Sequence, residues 1–180
     1  MRPGVAWPIA VLAITVAAGA SGSPVNLASC PETISTSDPE RQRAYAEFKR
    51  SVEASPFARH LGRPVSCEAR ADDGSILLTY ESPKGAKLEA LRDPTIELTE
   101  QRLSERGLGN KAAMTLLQRT ERWAFGEKGC SIAWKTSPGR LAGPTPGSRE
   151  LVYRGQDCNC QGHLVYSGDV LTGLVFRSAC

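Results

Sequence analysis

The chain has 180 residues, 41% of them apolar and 23% charged, a composition that excludes a wholly disordered or fibrous protein. The length suits one domain with a tail. Its 22 basic and 19 acidic side chains are interspersed and net only +3, so it lacks the basic stripe that a dedicated nucleic-acid binder uses to displace phosphate counterions.

Residues 1–20 read as a signal peptide. Arg2 supplies a positive start, Val5 to Ala20 carries no charge, and Ala18-Gly19-Ala20 fits the small-x-small cleavage rule, so the cut is expected after Ala20. The apolar run is too short for a comfortable bilayer span, and the polar Ser21-Gly22-Ser23 follows at once. Leu27-Ala28-Ser29-Cys30 also has the form of a lipoprotein box, with Cys30 as the lipid anchor. Two features favour the earlier cut. Ser21 to Asn26 separate the box from the apolar run, and lipidating one of the 6 cysteines leaves an odd number in an oxidising compartment. The expectation is a periplasmic or secreted chain that is soluble, with Cys30, Cys67, Cys130, Cys158, Cys160 and Cys180 free to form three bridges.

Residues 21–36 are rich in Ser, Thr and Pro and read as a flexible leader pinned at Cys30. A single domain is expected over 37–180. Ser37-Asp38-Pro39-Glu40 predicts a helix start, with Ser37 as cap and Glu40 completing a capping box. Tyr45, Phe48 and Val52 follow at helical spacing, and Ser55-Pro56 predicts the stop. Val65, Cys67, Ala69 and Ala71 then alternate with polar residues, Asp72-Asp73-Gly74 supplies turn chemistry, and Ile76, Leu78 and Tyr80 continue on a return strand. Residues 87–91 and 95–102 predict two further strands split by Asp93-Pro94, whose charge suits an edge or one solvated face.

The strongest helix is expected over 111–125. Asn110 is its cap, Ala113, Leu116, Leu117, Thr120 and Ala124 form its core stripe, and Gly126 is its stop. Arg119-Thr120-Glu121-Arg122 reads as solvated. Cys130 to Lys135 alternates as a strand, 138–148 reads as a loop, and strands follow at 150–154, 158–166 and 170–178 around a turn at Ser167-Gly168-Asp169. No internal repeat is visible. The order predicts α+β architecture, a mostly antiparallel sheet with two helices on one face, stabilised by disulfides.

Register at the last turn places Cys158 beside Cys180, which leaves Cys160 to Cys130 and Cys30 to Cys67 among fifteen possible connectivities. Cys158-Asn159-Cys160 is too tight for the usual redox spacing, has no second pair for a zinc site, and finds few methionines for copper. Strand parity puts Cys160 and His163 on opposite faces, which excludes a thiol–imidazole dyad and leaves His163 as a solvated strand residue. His60 has no patterned partner. Trp123 and Trp134 read first as core packing and second, with His163, as interface residues. No nucleophile elbow, Walker, dinucleotide or zinc-protease signature is present, and no cofactor is expected. The function expected is a non-enzymatic module that binds a protein or envelope partner, of inhibitor or immunity type. The alternatives are a small hydrolase with a dispersed site, or a thiol redox or copper protein using Cys158 and Cys160.

Overall fold

The computed structural model describes residues 30–72, 74–126, 130–143, 145–156 and 159–179. The expected signal peptide, most of the leader, and the expected Cys158–Cys180 bridge lie outside the described residues. Two helices, α1 (Pro39–Ala54) and α2 (Pro56–Leu61), precede four strands, β1 (Ser66–Asp72), β2 (Ser75–Glu81), β3 (Lys87–Asp93) and β4 (Leu98–Ser104). A third helix, α3 (Asn110–Phe125), precedes four more, β5 (Gly139–Ala142), β6 (Ser148–Arg154), β7 (Gln161–Ser167) and β8 (Val170–Ala179).

All eight strands form one antiparallel sheet in the order β1-β2-β3-β4-β8-β7-β6-β5. Each half is thus a helical segment followed by a four-strand meander, and the halves join through their last strands, β4 and β8. The architecture repeats although the sequence shows no repeat. The α+β class with an antiparallel sheet holds, and the described residues include three helices.

One sheet face carries the core. Ile76, Leu78 and Tyr80 lie across from Leu88 and Ala90, and the row continues through Leu103, Leu174, Phe176, Leu164 and Tyr166. Tyr45, Phe48 and Val52 of α1, Phe57, Ala58 and Leu61 of α2, and Ala113, Leu116 and Leu117 of α3 complete this cluster. Burial of this many large side chains, at about 1.5–3 kcal/mol each, is the main force holding helices to sheet. Charge on β3 and β4 reflects a solvated face, since both strands are central.

Several local expectations change. Asp38, not Ser37, caps α1, because its Oδ1 accepts from Glu40 N at 2.9 Å. Ser55-Pro56 ends α1 as expected, and a second short helix that was not expected, α2, starts there at once. Ser55 N donates to Val52 O while its Oγ accepts from Ala58 N at 3.2 Å, so one buried serine closes α1 and opens α2. Gly109 caps α3, and Asn110 instead accepts from Tyr166 Oη at 2.9 Å. Gly126 stops that helix at φ 72°, a conformation that suits glycine. Part of the 138–148 loop is the edge strand β5. A bulge at Val165/Tyr166 shifts the last hairpin by one residue, so Gln161 faces Arg177 rather than Phe176.

Two bridges brace the layers. Cys30 joins Cys67, pinning the segment before α1 to edge strand β1, and Cys130 joins Cys160, pinning the segment after α3 to the start of β7. Both pairings belong to the set read from register.

Candidate functional site

The residues between α3 and β5 explain why 130–135 is not a strand. Glu121 sits on α3 beside the core stripe and is 7% exposed. Its Oε1 accepts from Cys130 N at 3.0 Å and Ile132 N at 3.1 Å, and its Oε2 accepts from Trp134 Nε1 at 2.6 Å. Those N–H groups therefore have a side-chain partner where a strand neighbour was expected. Glu121 and Thr120 are buried, which corrects the solvated reading of this turn, while Ala124 is exposed. Trp134 rests on Gly162 and packs on Tyr153 at 5.4 Å, so its indole faces inward and serves packing. Trp123 is half-buried.

His163 is 4% exposed, contrary to its expected solvated position. Its Nδ1 pairs with Glu150 Oε2 at 2.6 Å across β6 and β7, and its Nε2 lies 3.1 Å from Gln161 Oε1. Both ring nitrogens are engaged inside the protein. Cys160 lies in a disulfide, so neither half of a thiol–imidazole dyad is free.

Around the Cys30–Cys67 bridge, burial first and the nearby Glu53 second push the Tyr80 hydroxyl well above the usual tyrosine range. Burial likewise raises the Glu53 carboxyl, with Lys49 opposing and Glu32 reinforcing the shift. Tyr45 Oη donates to Pro31 O at 2.5 Å and anchors the segment before α1.

Two surfaces bear on binding. The first is the sheet face opposite the core. Its rows run Arg70, Leu77, Leu91, Glu100, Arg177 and, one row over, Glu68, Thr79, Glu89, Arg102. On β8 and β7 the second row continues into Val175 and His163, which are buried, so the open part of this face is that of β1–β4. Charges on it are held in place. Arg177 Nε and Nη2 both donate to Glu100 Oε2, at 2.8 and 2.5 Å, while Arg102 reaches Glu100 Oε1 at 3.4 Å. A shallow hollow of about 210 Å³ lies between Leu77, Glu89, Leu91, Glu100 and Arg102.

The second is a groove of about 590 Å³ between α2 and α3, lined by His60, Lys111, Ala112, Thr115, Leu116 and Arg119. His60 Nε2 pairs with Glu105 Oε2 at 2.6 Å at its mouth. Sequence reasoning missed this groove, although Lys111, Thr115 and Arg119 recur every four residues and so share a face of α3. His60 gained its partner from 45 residues away, a separation no local pattern reveals.

Among the described residues, no group of three or more His, Cys, Asp or Glu side chains is placed to hold a metal ion, and no helix is long and apolar enough to cross a membrane. No known protein family matches this sequence, and no curated protein or solved structure matches it either.

Proposed function

We infer that this is an exported, disulfide-braced, non-enzymatic protein that binds another folded protein, in the manner of an inhibitor or immunity protein, through the sheet face opposite the helices. The observation that carries this reading is the one-sided packing of β1–β4, whose face away from the helices has no buried side chain among its paired rows, whereas on β6–β8 that face buries Val152, His163 and Val175. The helices share one cluster with Leu78, Leu88, Leu103 and Leu174, and the Leu77 and Leu91 face takes no part in it. Its four strands, about 4.8 Å apart and about 20 Å long, give a footprint of roughly 400 Å², in the range of small, transient interfaces, which bury less than roughly 600 Å² per partner.

The chemistry of the face supports the same reading. Glu100, Arg102 and Arg177 are already locked to one another, so ordering them on contact costs little entropy. Leu77 and Leu91 add half-buried apolar surface between the charges. Export is supported by the two disulfides, which persist in oxidising compartments and are rare in reducing ones. Thiol chemistry by Cys160 with His163 is disfavoured because both residues are consumed by internal bonds.

The test is site-specific photocrosslinking in the native exported fraction. A photoreactive side chain replaces Thr79, on β2 within the open β1–β4 face, or Glu47, exposed on α1. The proposal expects one adduct of discrete mass from position 79 and none from position 47. Equal adducts from both positions, or none from 79, would overturn it.

A further inference from the structure

The α2–α3 groove lies in the helical layer, away from the open sheet face, and it has its own chemistry. Ala112 and Leu116 make its floor apolar, and Thr115 adds mostly carbon because its hydroxyl donates to Lys111 O at 2.9 Å. Lys111 and Arg119 stand one helical turn to either side of Thr115 on the same face. The surroundings are basic. Residues 55–63 and 105–122, the stretches from which its lining residues come, contain Arg59, Arg63, Arg106, Lys111, Arg119 and Arg122 against only Glu105 and Glu121, and of these Lys111 and Arg119 line the groove itself. Glu121 is turned into the interior, and Glu105 is paired with His60. These two stretches thus hold an excess of positive charge in a chain whose whole net is +3.

From this we propose a second binding site: the groove between α2 and α3 takes an acidic peptide segment of a partner protein, with an apolar side chain of that segment seated over Ala112 and Leu116 and its carboxylates meeting Lys111 and Arg119. The cavity volume falls within the usual range for sites that enclose a ligand's apolar part. Concavity separates this occupant from an anionic bilayer. The groove receives an inserted side chain, whereas a flat membrane needs apolar residues that protrude. The large hydrophobic residues most exposed to solvent, Val65, Ile96, Leu141 and Val170, all lie outside α2 and α3. The proposal does not depend on the sheet-face reading.

The probe is a short fluorescein-labelled peptide rich in Glu and Asp, with two Leu residues four apart, titrated into the full protein by fluorescence anisotropy. Saturable binding is expected. It should weaken at least about tenfold when salt rises from about 0.1 M to about 1 M, because screening shortens to about 3 Å. The same loss is expected from the double substitution Lys111→Glu and Arg119→Glu, and from Ala112→Trp, which fills the floor without changing charge. Arg140→Glu on the exposed edge strand β5 should bind normally. Circular dichroism confirms folding of each variant, and two independent variants guard against loss of one. Absence of saturable binding overturns the proposal. So does binding that ignores Ala112→Trp, which would mean diffuse surface charge. Tighter binding to phosphatidylglycerol vesicles than to the peptide, abolished by the same variants, would assign the groove to membranes and overturn it equally. Failure of the photocrosslinking test at Thr79 leaves this titration unaffected.

Discussion

Glu121→Ala is the most informative single substitution. The carboxylate receives three N–H groups, from Cys130, Ile132 and the Trp134 indole, at 2.6–3.1 Å, and the residue is only 7% exposed. An orphaned buried donor costs about 1–3 kcal/mol, and hydrogen bonds to a charged acceptor lie toward the upper end. Ser131 within the segment is exposed, so water reaches part of it and the sum is reduced. The expected destabilisation is therefore about 3–5 kcal/mol, a large part of a typical domain's stability. Urea unfolding followed by far-ultraviolet circular dichroism measures the loss. Tryptophan fluorescence follows in parallel whether Trp134 leaves its seat on Gly162. Glu121→Gln should fall between, since one oxygen still accepts while the amide nitrogen faces a donor. A Glu121→Ala loss below about 1 kcal/mol with an unchanged emission maximum would refute the reasoning.

Other outcomes follow from the same geometry. A Cβ at Gly162 would stand 2.3 Å from the Trp134 ring, so Gly162→Ala should cost about 1–3 kcal/mol in the same unfolding assay, and a neutral result would show that the indole moves freely. Burial raises the Glu53 carboxyl, so the folded state holds that proton more tightly than the unfolded chain and stability falls as pH rises through the carboxylate range. Glu53→Gln should thus be more stable than the parent at about pH 7, with the gap closing at about pH 3, and a less stable variant at neutral pH would contradict the assignment. Closing loops of 37 and 30 residues, the two disulfides should each contribute about 4 kcal/mol on the chain-entropy account, so pairwise Cys→Ser replacement should lower the urea midpoint markedly. Thiol titration of the unreduced, unfolded protein should find no more than 2 of the 6 cysteines reactive, and more would remove a bridge.

The sequence discloses what depends on near neighbours. Alternation at Val65–Ala71 and at Ile76–Tyr80 marks a hairpin because side chains on a strand change face at each residue, and Asp72 to Gly74 marks its turn. Tyr45, Phe48 and Val52 declare a buried helical stripe for the same kind of reason. Positions decided by distant partners are less visible. Cys130, Ile132 and Trp134 alternate as a strand would, yet the carboxylate of Glu121 holds the backbone of that segment. Glu121 could have been suspected, because it follows Thr120 on the side of α3 that also carries Ala113 and Leu117. His163 looks like a surface residue until Glu150 is placed diagonally across from it on β6, two residues before its register partner Val152. The pairing of β4 with β8, which fuses two meanders into one sheet, joins residues about 80 apart and leaves no local trace.

The binding claim is tested most directly on the partner captured through position 79. Its affinity should be measured for the parent protein, for Thr79→Arg and for Glu47→Arg. The first substitution drives a bulky charge into the open β1–β4 face, and displacement of a hot-spot contact costs about 2 kcal/mol or more, beyond tenfold in affinity. The account predicts that loss for Thr79→Arg with Glu47→Arg unchanged. Equal affinity for all three proteins would contradict it.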